Sequence, residues 1–97
     1  MRTLDEIMGQ LRQMQPELRR HYPIREMGVF GSYARGDQTE RSDVDVLVAV
    51  DDAMGLFALA GLQQELSDAL GLKVDLVMKD ALRRRIGRRV LSEVVML

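Results

Sequence analysis

Apolar positions recur at helical spacing from the start of the chain, with Leu4, Ile7, Met8, Leu11, Met14 and Leu18 falling on one face. Thr3 followed by Glu6 is the spacing of a capping box, so a helix should begin at Leu4. Pro16 lacks an amide hydrogen and crowds the preceding turn, so it is expected to kink this helix or to start a second short turn. Pro23 should close the helical region. Ile24 to Phe30 then reads as a short strand that stops at Gly31, followed by a helical turn and loop over Ala34 to Ser42. Val44 to Val50 is dense in valine and bounded by Ser-Asp and Asp-Asp, as expected of a central, largely buried strand.

Between Leu56 and Leu70 the apolar Leu59, Leu62, Leu66 and Leu70 return to a spacing of three or four, and Gly71 supplies the stop of a second long helix. Lys73 to Met78 should form a third strand. Asp80 is expected to cap a basic helical segment that carries Arg83, Arg84, Arg85, Arg88 and Arg89, and Val94 to Leu97 to add an edge strand. The order α-β-α-β-α-β-α predicts an α+β fold: a small mixed sheet of three or four strands with helices mainly on one face. Residues 1–97 are expected to form a single domain, with no repeats and no linkers.

Composition narrows the chemistry. The chain has no cysteine and one histidine, His21, which excludes disulfides, thiol nucleophiles, thiolate zinc sites and multi-histidine metal centres. The seven methionines mostly occupy apolar helix positions or chain ends and read as core filler, and His21 as a surface residue. No apolar run approaches the ~20 residues of a membrane span, and the acidic start is unlike a signal peptide. A soluble, cytoplasmic protein without membrane contact is expected. Net charge is −1, yet six basic residues and one acidic residue between Lys79 and Arg89 leave the remainder at −6. With four aromatics and no tryptophan, nucleic-acid binding would rest on that stretch alone and is not favoured, a solvated helix face being the simpler reading.

The candidate chemistry lies elsewhere. Gly31-Ser32 stands where a strand should turn into a helix, and a glycine there lets backbone amides approach an anion, with the serine hydroxyl as one more donor. Asp43 and Asp45 are two apart, so on a strand they share a face with Cα atoms about 7 Å apart. Two carboxylates about 5 Å apart repel by roughly 3 kcal/mol at an effective dielectric of 20, and a divalent cation would remove that cost. Hard oxygen ligands favour magnesium over zinc. Asp75, within Val74-Asp75-Leu76-Val77, would join them if its strand lies beside Val44 to Val50, and could accept a proton there. Each feature also has an ordinary structural explanation: a plain Gly-Ser turn, loop aspartates, a charge that protects an edge strand. Tyr33 is expected to pack inward.

Together the features are more specific. Gly31-Ser32-Tyr33-Ala34-Arg35-Gly36, then Ser42-Asp43-Val44-Asp45, then a lone strand aspartate about thirty residues on, resembles the DNA polymerase β superfamily of nucleotidyltransferases. More narrowly, the chain is similar over nearly its whole length to the minimal nucleotidyltransferase family, small antitoxins paired with HEPN-domain toxins. The resemblance implies a palm-like fold and transfer of a nucleoside monophosphate, usually AMP from ATP, to an acceptor hydroxyl. It implies that Gly31 and Ser32 hold the triphosphate, that Asp43 and Asp45 bind magnesium, two ions being expected, and that Asp75 completes the metal-binding and catalytic triad as base. Arg35 matches the family pattern too, where it would contact phosphate or pair with Asp37. Larger relatives carry an acceptor-binding domain that is not expected here, so the acceptor would bring its own recognition surface. In this family the acceptor can be a tyrosine of the HEPN toxin. Two alternatives stay open: an antitoxin that acts by occlusion, and transfer to RNA or a small molecule.

Overall fold

The computed structural model describes residues 2–82 and 84–97, the side chains of Arg84 and Arg85 excepted. Helix α1 spans Leu4–His21; the Thr3 hydroxyl accepts from the Glu6 amide at 3.3 Å, and Ile7, Met8, Leu11 and Leu18 are buried. Of the two outcomes expected at Pro16, a second short turn does not form: α1 runs through the proline as one helix. Pro16 is exposed, so water can serve the carbonyl that loses its partner, and buried Leu18 ties the next turn to the core. His21 is exposed and lies 3.0 Å from Glu17 on the same helix.

Strand β1 covers Ile24–Phe30, and the helical turn α2 occupies Ser32–Arg35, two residues earlier than the sequence pattern places it. Strand β2 (Val44–Val50), helix α3 (Leu56–Leu70) and strand β3 (Val74–Met78) form a β-α-β unit with β2 and β3 parallel. A 3-10 turn, Lys79–Ala81, follows. Asp80 lies inside that turn, so it does not cap helix α4, which spans Arg84–Glu93. The expected arginine at position 83 falls outside the described residues, as do the side chains of Arg84 and Arg85; Arg88 and Arg89 are exposed. Strand β4 is only Val95–Met96.

The sheet order is β3-β2-β1-β4, with β1 antiparallel to both β2 and β4, which is the mixed four-stranded sheet of an α+β fold. Side chains alternate along β2. Val44, Val46 and Val48 enter one core with Ile7, Leu11, Leu62, Leu66 and Leu70 of α1 and α3. Asp45, Leu47 and Ala49 therefore take the opposite face. Tyr33 is buried in the main core, so packing accounts for it.

The outer edge of β3 is closed from α3. The Ser67 hydroxyl accepts from the Val74 amide at 3.1 Å, and the Gln63 side-chain oxygen accepts from the Leu76 amide at 3.1 Å. Those amides would otherwise be open to another chain. The same bonds pin the register of β3 against β2, and so the position of Asp75.

Candidate active site

Antiparallel β1 ends where parallel β2 and β3 begin, so three chain segments converge at one end of the sheet. At the corner after Phe30, Gly31 has φ 76° and ψ −152°, a conformation open essentially to glycine alone. A second constraint acts there: a Cβ on Gly31 would overlap the Asp45 carboxylate, lying 3.0 Å from its Cγ. The glycine is thus needed both for the turn and for the close approach of an acidic side chain. The α2 turn closes at Gly36, φ 82°, whose amide donates to the Ser32 carbonyl at 2.9 Å.

Beyond α2, a short loop delivers Asp43. The Thr39 amide donates to the Ser42 hydroxyl at 2.9 Å, and the Ser42 amide donates back to the Thr39 carbonyl at 3.1 Å. In the parallel ladder Asp45 is the direct partner of Asp75, which places their side chains on the same face one strand spacing apart. Asp43 and Asp45 are half-buried. Asp75 is exposed: β3 is an edge strand, and α3 covers the face that holds Val74 and Leu76.

Burial pushes the Asp45 carboxyl above its ordinary range; the negative charges of Asp75 and then Asp43 add to the effect, and the Arg35 guanidinium partly opposes it. Lys73 lies 3.8 Å from Asp43, but the lysine is 79% exposed, so this contact contributes little. Among the described residues no three carboxylates or imidazoles converge into a cage for an ion. The donor set nevertheless fits magnesium, which is commonly held by one or two carboxylates while phosphates and water fill its other positions. Clefts of about 420 and 400 Å³ run along Arg2 and Glu6 near the start of α1, the second reaching Tyr33 and Glu40, and neither is lined by Asp43, Asp45 or Asp75.

The structure therefore gathers Gly31, Ser32, Arg35, Asp43, Asp45 and Asp75 at one end of the sheet. It also adds a residue that the sequence did not flag. Glu93, at the end of α4, accepts from the Gly31 amide at 3.1 Å and from Arg35 Nη1 at 3.3 and 3.2 Å through its two carboxylate oxygens. Arg35 Nε donates to Asp37 at 3.2 Å. The guanidinium is thus held between two carboxylates, of which Asp37 and then Glu93 raise its pKa.

The chain is similar to several known proteins. Residues 11–96 match the nucleotidyltransferase domain family. The protein adenylyltransferase MntA of Thermococcus cleftensis is 47% identical over 95 residues, covering 98% of this chain and 96% of the relative. A solved structure presented as a minimal nucleotidyltransferase superposes with a TM-score of 0.83 at 33% identity, covering 99% of this chain and 97% of its own. A toxin-antitoxin crystallised with AMP-PNP has a TM-score of 0.72 at 28% identity, covering 96% of this chain and 70% of its own.

Proposed function

Because the chain belongs to the nucleotidyltransferase domain family and is a minimal member of it, we propose that it transfers AMP from ATP to a hydroxyl of a partner protein. The partner would be a cognate HEPN toxin, which this modification silences. One observation carries the reading: Asp45 and Asp75 stand opposite each other in the ladder, with Gly31 shaped to admit the Asp45 carboxylate. Three like charges crowd one end of a small sheet, and a cation together with a polyphosphate is the chemistry that makes such crowding useful.

In this reading Gly31, whose amide is engaged by Glu93, keeps the corner open for the triphosphate, Ser32 receives it with its hydroxyl, and Arg35 contributes a positive charge beside it. Asp43 and Asp45 would hold magnesium, with Asp75 facing the same space. When bound, magnesium would neutralise the triphosphate and polarise it for in-line displacement. The acceptor oxygen forms a bond to the α-phosphorus, the bond to the pyrophosphate oxygen breaks, and the acceptor proton passes to the Asp75 carboxylate. The exposure of Asp75 suits this role, because a hydroxyl on a macromolecule has to approach from solvent. The similarity to a protein adenylyltransferase supports a protein acceptor, and the AMP-PNP-bound neighbour supports a nucleoside triphosphate donor.

The test is label transfer from α-labelled ATP in magnesium, with and without a candidate HEPN toxin. Label should appear on the toxin, and Asp43→Ala and Asp45→Ala should abolish it in folded protein. Variants that still neutralise the toxin fully would establish occlusion instead, and label on RNA alone would redirect the acceptor.

A further inference from the structure

We propose that Glu93 is a positioning residue that keeps the Arg35 guanidinium off the aspartates, so that Arg35 does not act as a substitute cation in the place meant for a metal. This rests on the reading of Asp43 and Asp45 as metal ligands. The argument starts from connectivity. Strand β4 pairs with β1 through Gly28 and Val29, and the Leu97 amide donates to the Met27 carbonyl at 2.9 Å. That pairing brings the end of α4 to the Gly31 corner, where the Glu93 side chain is only 20% exposed.

One oxygen of Glu93 is shared by the Gly31 amide, 3.1 Å, and by Arg35 Nη1, 3.3 Å, while the second takes Nη1 at 3.2 Å. The same Gly31 is in contact with the Asp45 carboxylate. Arg35, Glu93 and Asp45 are therefore neighbours around one glycine. An arginine beside three aspartates is drawn to them, and a guanidinium seated on Asp45 would compete with any divalent ion. Glu93 supplies the competing carboxylate. Asp37 does not replace it, because it takes only Nε, from an exposed loop position, and leaves the Nη1 end able to swing.

The experiment titrates Mn2+ into the nucleotide-free protein and follows binding by electron paramagnetic resonance. Thermal melts in EDTA are run beside it as a check on folding. Glu93→Gln keeps an oxygen for the Gly31 amide but removes the charge that holds Arg35. It should weaken Mn2+ binding about fivefold, the upper range for a partly exposed ion pair, with little change in the melt. The double variant Glu93→Gln with Arg35→Gln should return the affinity to within about twofold of wild type, a rescue that a purely structural clip would not give. Glu93→Asp, with the charge kept on a shorter arm, should fall between wild type and Glu93→Gln. Unchanged Mn2+ affinity in Glu93→Gln, or no rescue in the double variant, overturns the proposal while leaving label transfer by the wild type intact. Absence of Mn2+ binding by the wild type overturns both this proposal and the metal reading beneath it.

Discussion

Replacing Asp45 with Asn should make the metal-free protein more stable while ending its activity. Asp75 stands directly across the parallel pair from Asp45, about one strand spacing of 4.8 Å away. At an effective dielectric of 20 this separation costs roughly 3 kcal/mol when both groups are ionised. Partial exposure of the aspartates and the attraction of Arg35 reduce the cost, leaving about 0.5–1 kcal/mol to be gained when the charge is removed. For a chain of 97 residues that corresponds to a rise in Tm of about 2–5 °C.

The pH dependence follows from the raised pKa of Asp45. The folded state binds this proton more tightly than the unfolded chain does. Its contribution is therefore fully present below the ordinary aspartate value, about pH 4, and is lost as pH rises through the higher folded value. Thermal melts in EDTA across this range should show wild-type stability falling with a slope that Asp45→Asn lacks. Added magnesium should narrow the gap between the two proteins by stabilising the wild type alone. A lower Tm in Asp45→Asn at pH 7, or identical pH slopes in the two proteins, would refute the idea that like charges are crowded here.

Gly31→Ala combines a forbidden backbone conformation with overlap of the Asp45 carboxylate; urea unfolding should show a loss of at least about 2 kcal/mol, and label transfer should vanish. Gly28→Ala would place a methyl 2.7 Å from Met96 Sδ and 2.8 Å from the Val95 carbonyl, so β4 should detach and the Leu97 amide should exchange its hydrogen faster. Leu66→Ala, at a fully buried position of α3, should cost about 2–5 kcal/mol in chemical denaturation. Thr3→Ala removes the cap of α1 and should cost about 1 kcal/mol with no change in transfer.

Local signals made most of this structure readable. The cap at Thr3, the leucine spacing of α3 and the valine run of β2 each report on neighbours within a few residues, and all three elements form as their spacing indicates. The glycine corner and the aspartates were singled out only as a set, by their resemblance to a family motif, because each of them alone has an ordinary structural explanation; the ladder then sets Asp45 opposite Asp75. Glu93 was not legible. It meets Gly31 across 62 positions of sequence, and a single glutamate before an edge strand carries no periodic mark of its partner. A second short turn does not start at Pro16 because one missing bond on an exposed face weighs less than the burial of Leu18 beyond it. Asp80 has the composition of a cap, but the chain spends that residue in a separate 3-10 turn.

The bonds from Ser67 and Gln63 to β3 make α3 a measuring rod for the chemistry. Adding or deleting one residue in the joint between Leu70 and Val74 would invert β3, setting an aliphatic side chain opposite Asp45 and driving Asp75 under the helix among the leucines. The length of that joint cannot change by a single unit without losing fold and activity together.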